Sequence, residues 1–308
     1  MRDAVLADFA QIPEVQIIQT CDARLAQPDN AIPIDARLDV WAIWERCMQE
    51  ADAVLLIAPE MDGALSKLTK MAESLGKRVL GCASSAVELA GDKWLTYQML
   101  QAHQISTLPT FLYADFSHQQ LSNKQKGSWV AKAIDGAGCH DMAYFEDKGA
   151  LTAWMQTRKQ SHIIQPFQSG QAASLSMFCK AGKAYLLSCN QQKIEIKHQQ
   201  FTYYGTVLNG MLAHQQAFAA IAQSIAQAMP ALAGYVGVDL VVSEGAAGHD
   251  YYVLEINPRL TTSYVALHQA CGVNPARMLL DLFYNEAFQM PVIAHHRIDI
   301  SLNACTSI

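Results

Sequence analysis

Two apolar runs near the carboxyl end, GYVGVDLVV (234–242) and DYYVLEINP (250–258), are separated by a short Gly/Ala loop. β-Branched and aromatic residues on both sides of such a loop read as an antiparallel hairpin. The hairpin constrains the fold strongly, because every polar residue within it must take one face or the other. Residues i and i+2 of a strand share a face. Glu255, Asn257 and Arg259 are therefore expected on one side, with Tyr252, Leu254 and Ile256 on the other. A hairpin symmetric about Ala247 sets Asp239 opposite Glu255, and a slip of one residue would move Asp239 to the other face. Asp239, Glu255 and Asn257 then form a row of oxygen donors. Such donors favour Mg2+ or Mn2+ over zinc, and two carboxylates this close repel unless a cation lies between them. An ordinary hairpin with a wet polar face is the competing reading.

The first ninety residues read as α/β. VQIIQ (15–19) and ADAVLLIAPE (51–60) are strand-like. DGALSKLTKMAESLG repeats Leu65, Leu68, Met71 and Leu75 at helical spacing, stops at Gly76 and leads into RVLG. Strand, helix, strand is the pattern of a parallel sheet with helical crossovers. Glu60 falls at the carboxyl end of a predicted strand, where such sheets place ligands. It has the charge to pair with an ammonium group, though a solvated or capping acid is the plain alternative. MRDAVLADF reads as helix and not as the opening strand expected of a complete α/β unit, so the first subdomain is expected to be trimmed or its start set differently. GDKWLTYQMLQAHQI (91–105) is a helix with Asp92 as N-cap and Leu95, Met99 and Leu100 as its apolar stripe. SWVAKAI (128–134), SHIIQPF and ASLSMFCKAGKAYLLSC read as strands, with KAGK as a hairpin turn. Residues 211–229 form an amphipathic helix with Phe218, Ile221, Ala222 and Ile225 on one face.

Lys132 ends an apolar strand just before Asp135-Gly136-Ala137-Gly138. A lysine there can reach a phosphate oxygen, and glycines let backbone N–H groups approach phosphates closely. Glycine loops after strands are also commonly plain turns. Lys93 opens a helix, where the dipole opposes it unless an anion lies nearby. GxxxxGK[ST] is absent, as is GxGxxG, which removes the P-loop and Rossmann dinucleotide readings.

Bulk properties narrow the classes further. The chain has 308 residues, 51% hydrophobic, enough for two or three packed subdomains. Net charge is −6 and no Lys/Arg-rich run occurs, so nucleic acid is not an expected partner. No apolar run approaches the ~20 residues that span a bilayer, and Asp3 and Asp8 interrupt the first apolar stretch, unlike a secretory signal. The eight cysteines have no CxxC spacing, which points to reduced thiols and a cytoplasmic location.

The order of these segments carries a resemblance. GDKWLTYQML, WVAKAIDGAGC, IIQPFQSGQAASLSM, GYVGVDLVV and LEINPRLTTSY resemble, in sequence, the motifs of the ATP-grasp ligases, over roughly residues 54 to 285. LLIAPEMDGAL and EINPRLTTSY look most like the small members related to tyramine–glutamate ligase of methanofuran biosynthesis. The resemblance implies an N-terminal parallel α/β subdomain (1–90) and two α+β subdomains (91–167 with the glycine loop, 168–308 with the metal site) that clasp ATP. It implies that Lys93 and Lys132 contact ATP phosphates, that Asp135, Gly136, Ala137 and Gly138 close over them, and that Gln165, Pro166 and Phe167 receive adenine. Asp239, Glu255 and Asn257 would hold one or two Mg2+, with Mn2+ as a substitute, and Arg259 would stabilise the phosphate in transfer. Two positions depart from the family: Gln165 stands where a glutamate is usual, and Ala173 where an acid often precedes the serine, so the ribose contacts stay open.

The implied reaction joins a carboxylate to an amine through an acyl phosphate, with glutamate as the acid and tyramine or tyrosine as the amine. Thr261, Thr262 and Ser263 precede the helix-like stretch YVALHQACG, so their hydroxyls and free N–H groups are candidates to grip a carboxylate. The alternatives are a D-alanine–D-alanine-like dipeptide ligase and a regulatory protein that binds ATP without turnover. The expected partners are these small molecules, with no nucleic acid and no membrane, and a homodimer is left open.

Overall fold

The computed structural model describes residues 1–28, 30–118, 127–136, 138, 139, 141–246 and 248–302. Ala137 of the glycine loop and Ala247 of the hairpin loop lie outside them. The chain begins with α1 (Arg2–Phe9), β1 (Gln19–Asp22), β2 (Ala31–Ile34), α2 (Val40–Glu50), β3 (Ala53–Val54), α3 (Ala64–Ser74), β4 (Arg78–Val79), α4 (Ser84–Gly91) and α5 (Lys93–Ala102). It continues with β5 (Phe111–Leu112), α6 (Tyr113–His118), β6 (Trp129–Ala133), β7 (Met142–Phe145), α7 (Lys148–Met155) and β8 (His162–Pro166). The remainder is β9 (Gln171–Lys180), β10 (Lys183–Lys197), β11 (Gln200–Leu208), α8 (Gln215–Ala228), β12 (Gly234–Gly245), β13 (Gly248–Asn257), α9 (Leu267–Cys271), α10 (Pro275–Tyr284) and β14 (Ile298–Ser301). The chain is thus mixed helix and sheet, as expected, and no helix among the described residues is long and apolar enough to cross a membrane.

Among the described strands, the parallel pairs are β1 with β2 and β3 with β4, in the amino-terminal part. The strands are much shorter than the apolar runs suggested. The first begins at Gln19, and only Ala53 and Val54 pair within 51–60. Leu55, Leu56 and Ala58 are still packed on the hydrophobic clusters, without a strand partner. Apolar sequence cannot distinguish a buried irregular segment from a hydrogen-bonded strand. The start of the chain is helical, and Val5 and Phe9 of α1 pack in one cluster with residues of α9 and α10.

The other strands form one sheet in the order β13-β12-β9-β10-β11-β7-β6-β8-β5, with β14 added on β11. It has two halves that meet where Gln200 pairs with Ala143. In the larger half, the face carrying Val236, Val238, Leu240, Val253 and Ile256 packs on α4, α5 and α8. The opposite face packs through Phe178, Leu187 and Tyr235 on α1, α9 and α10. In the smaller half, Trp129, Ala131, Phe145 and Ile164 pack with Phe116 of α6 and Leu151 of α7. KAGK forms the expected turn, with Ala181 at φ 49° and Gly182 at φ 77°, the positive pair that a two-residue hairpin turn demands. Leu95 is the exception on α5. It is 44% exposed, while Met99 and Leu100 are buried.

The β12–β13 register places Asp239 opposite Glu255, but not by symmetry about Ala247. Gly245 pairs with Gly248, so an uninterrupted ladder would put Leu254 opposite Asp239. A bulge intervenes: Leu240 pairs with Val253 and Asp239 with Glu255, leaving Leu254 as the extra residue. The bulge reverses the alternation of β13. Val253 and Ile256 enter the core, in place of the expected Tyr252, Leu254 and Ile256 row. Without it, Glu255 and Asn257 would follow Val253 into that apolar core.

Gly205 supplies a test of the sheet. It sits at φ 129° on β11, and an added Cβ would lie 2.0 Å from the Ile300 carbonyl oxygen of β14. Gly205→Ala should lower the unfolding free energy by about 1–3 kcal/mol, read from urea denaturation. An unchanged midpoint would contradict the close approach of β14.

Candidate active site

Asp239 of β12 and Glu255 and Asn257 of β13 stand together on the face turned away from α4, α5 and α8. Asn257 Nδ2 donates to Asp239 Oδ2 at 3.0 Å, and Gln192 Nε2 of β10 donates to Asp239 Oδ1 at 2.7 Å. Burial and the facing Glu255 push the Asp239 carboxyl up to about 6, against the stabilising bonds from Asn257 and Gln192. Lys93 Nζ lies 3.3 Å from Glu255 Oε1, with only 7% of the lysine side chain exposed. It also donates to the Gly136 carbonyl of the glycine loop. Lys93 is the first residue of α5, with Asp92 as N-cap accepting from Trp94 N and Leu95 N. A cation there opposes the helix dipole, and Glu255 is the anion that offsets it.

Lys132, near the end of β6, is buried. Burial lowers its pKa, Glu255 and Asp239 resist that shift, and Lys93 adds to it. Two buried lysines thus lie beside two opposed carboxylates. Asp135 Oδ1 accepts from Gln160 Nε2 at 2.5 Å, and Gly138 at φ 63° uses glycine's left-handed freedom. On β8, Gln165 is 3% exposed. Its Nε2 donates to Thr110 Oγ1 at 2.9 Å, and its Oε1 is buried without a partner among the described residues. Pro166 ends the strand, and Phe167 N donates to Ser128 O at 2.8 Å. Ala173 faces the core of the larger half at 0% exposure.

Arg259 is held by Glu60. Its Nε and Nη2 each lie 2.8 Å from Glu60 Oε2, and Nη2 is 3.5 Å from Asn257 Oδ1. Glu60 Oε1 is buried and unpartnered among the described residues. Glu60 sits before a 3-10 turn at Met61–Gly63 and not at a strand end, because the strand stops at Val54. The segment after Arg259 also departs from expectation. Thr262–Ala266 is a 3-10 turn, and α9 begins only at Leu267. Thr261 and Ser263 turn their hydroxyls inward. Thr261 Oγ1 is 2.8 Å from Tyr235 Oη, and Ser263 Oγ accepts from Asn190 Nδ2 at 3.2 Å. Thr262 hydrogen-bonds with Tyr203 of β11.

Sequence reasoning missed Gln192, Tyr203, Tyr235 and Thr110. A signal for the first existed: Ser188, Asn190 and Gln192 alternate on β10, the period-2 mark of a polar sheet face. Asp239 and Glu255 carboxylate oxygens with Asn257 Oδ1 form an all-oxygen set, and each carboxylate oxygen accepts through two lone pairs. The set suits a hard cation such as Mg2+. Among the described residues no group of three or more His, Cys, Asp or Glu is assembled for a metal, so the set rests on two carboxylates and an amide.

A model described as an ATP-grasp domain matches residues 90–263, and one described as a pre ATP-grasp 3 domain matches residues 15–87. The chain is 31% identical to tyramine–L-glutamate ligase of Methanocaldococcus fervens over 71% of this chain and 62% of that protein. It is 29% identical to tyramine–L-glutamate ligase of Methanocaldococcus jannaschii over 79% of this chain and 67% of that protein. The chain therefore spans about two thirds of the length of these relatives. Its fold resembles the crystal structure of an ATP-grasp superfamily protein from Archaeoglobus fulgidus, with a TM-score of 0.67 and 23% identity over 97% of this chain and 90% of that one. With the hairpin, the two lysines and the glycine loop in the order that the sequence implied, the chain belongs to the ATP-grasp domain family.

Proposed function

We propose that this chain is an ATP-dependent ligase that joins a carboxylate to an amine through an acyl phosphate. The observation that carries the reading is the convergence of buried Lys93 and Lys132 on the Glu255–Asp239 carboxylates beside a glycine loop. A carboxylate is a poor acyl donor, since its leaving group would be oxide. Attack of its oxygen on the γ-phosphorus breaks the bond to the β-phosphate bridging oxygen and releases ADP. The amine nitrogen then attacks the acyl carbon, the C–O bond to phosphate breaks, phosphate leaves and the nitrogen loses a proton.

Lys93 and Lys132 hold phosphate oxygens, and residues 135–138 cover them and exclude water, to which acyl phosphates are lost. Gln165, Pro166 and Phe167 seat the adenine. Asp239, Glu255 and Asn257 hold one or two Mg2+, or Mn2+ in its place. When bound, the metal neutralises phosphate charge. Arg259 meets the phosphoryl group in transfer, positioned by Glu60 and Asn257. The unpartnered Glu60 Oε1 is suited to an ammonium group. In this reading residues 1–90, 91–167 and 168–308 act as three parts. Seven described cysteines are free thiols, which fits a reducing cytoplasm. The names of the curated relatives support glutamate as the acid and tyramine as the amine, with tyrosine as its amino-acid counterpart in this reading. For the grip on the acid the reading keeps Thr261, Thr262 and Ser263 together, since each hydroxyl already has a protein partner that it would exchange for the carboxylate.

Lys132→Ala should weaken ATP binding by roughly 10- to 100-fold, the value of one charge-assisted bond in a partly dry site. Calorimetry on the folded variant reads this, and unchanged affinity would remove Lys132 from the phosphate site. For the substrates, sustained ADP release over many turnovers should require acid and amine together, with at most a slow leak from acid alone, and be faster with glutamate plus tyramine or tyrosine than with D-alanine alone. Faster release with D-alanine would favour a D-alanine–D-alanine-like ligase. ATP binding with no ADP release from any acid–amine pair would favour a regulatory binder.

A further inference from the structure

Two acids that flank the glycine loop, Asp135 and Asp141, are tied to one short segment, from Arg158 to His162, between α7 and the start of β8. Gln160 Nε2 donates to Asp135 Oδ1 at 2.5 Å, and His162 Nε2 lies 2.9 Å from Asp141 Oδ2. Arg158 Nη1 is 3.3 Å from Asp141 Oδ1, and its guanidinium stacks 3.9 Å from the centre of the Trp154 ring. The backbone joins the same segments, since Ile134 N donates to Ser161 O at 3.0 Å. Asp141 stands at φ 48°, a left-handed conformation that a residue with a side chain keeps where its surroundings hold it.

The protons of the His162 ring govern this grip. Its side chain is fully buried. His162 pairs with Ala133, and alternation sets it on the face of Ile164 that meets α7, while Lys132 of the neighbouring β6 takes the other face. From α7, Trp154 meets the ring edge-on, with centroids 5.2 Å apart. The charged groups the ring meets are Asp141 and, across that carboxylate, Arg158. Nδ1 lies 2.8 Å from the Gln160 carbonyl oxygen. A carbonyl only accepts, so Nδ1 carries a proton. An ionised carboxylate beside a guanidinium also only accepts, so Nε2 needs a proton as well. The bond to Asp141 therefore exists only while the ring holds both protons. A neutral ring would turn a lone pair on the carboxylate.

We propose that His162 is a positioning residue for the glycine loop. Its second proton holds Asp141 at the far end of the loop, and loss of that proton as pH rises frees this end. Gly136 of the same loop accepts from Lys93 Nζ, so the seat of the loop also bears on a lysine that the proposed function gives to the phosphates. The inference rests on the reading of this loop as the cover of ATP phosphates, and adds what holds the cover in place and the pH at which it loosens.

The test measures affinity for a nonhydrolysable ATP analogue by calorimetry at fixed Mg2+, from about pH 5.5 to about pH 9. It compares the wild-type chain with His162→Phe and His162→Gln, with circular dichroism to establish folding. The quantity read is the ratio of variant to wild-type affinity at each pH, in which the titrations of the nucleotide, Asp239 and Lys132 cancel because all the chains share them. The wild-type chain should bind about tenfold tighter than His162→Phe at the low end and match it within about threefold at the high end. His162→Gln supplies an amide nitrogen that donates to Asp141 at every pH. It should stay within about threefold of wild type at the low end and bind more tightly than wild type at the high end. A ring that only fills space would lower the affinity by one factor at every pH. A pH-independent ratio in either folded variant overturns the inference and leaves the ATP site standing. If His162→Phe does not fold, His162→Gln decides. If neither folds, nitrogen-15 spectra of the wild-type imidazoles decide: both His162 ring nitrogens should read as protonated at the low end, and a ring with one proton there overturns the inference. Failure of the wild-type chain to bind the analogue at any pH overturns the ATP reading and the inference with it.

Discussion

The opposition of Asp239 and Glu255 across β12 and β13 is the constraint to which the rest of the site responds. Opposed carboxylates repel and burial strengthens the repulsion, so a fold that buries such a pair must answer it. The answer comes from three directions. Lys93 arrives at the start of α5 and Lys132 on β6. Asn257 donates to Asp239 from the adjacent strand β13, and Gln192 from β10 on the far side of β9. The charges nearly balance. In the proposed reaction, groups held in place by such contacts would stabilise a phosphoryl group in transfer without reorganising at the moment of reaction.

The same contacts join the parts of the chain. Lys93 touches the glycine loop through Gly136 and the hairpin through Glu255, so it spans both halves of the sheet. Arg259 and Glu60 tie the hairpin to the amino-terminal segment across 199 residues of sequence. Both ties use groups that the proposed chemistry also needs. In the proposed reading, binding a nucleotide would therefore exchange partners among these groups and would not demand new charge there.

The grouping of Asp239, Glu255 and Asn257 in the candidate site was legible in the sequence because residues two apart share a strand face, and because Lys93, Lys132, the glycine loop and the Glu-x-Asn-Pro-Arg run occur in order. The Asp92 cap and the KAGK turn were legible for the same local reason: each depends on residues adjacent in sequence. What was not legible depends on distant partners. The extra residue at Leu254 leaves no mark on a run of apolar residues, yet it decides which side chains of β13 reach the core. The short pairing of β3 depends on β4, and the exposure of Leu95 depends on what α5 packs against. The inward turn of Thr261 depends on Tyr235 from a different strand.

The central claim is that the opposed carboxylates are a seat for a hard divalent cation. Electron paramagnetic resonance of Mn2+ with a nonhydrolysable ATP analogue tests it directly, because free and bound Mn2+ give different spectra. In the wild-type chain the bound spectrum should require the nucleotide analogue. Glu255→Gln, which keeps the shape of the side chain and removes its charge, should weaken Mn2+ affinity on the order of tenfold or more. Equally tight Mn2+ binding in a folded Glu255→Gln chain would contradict the account.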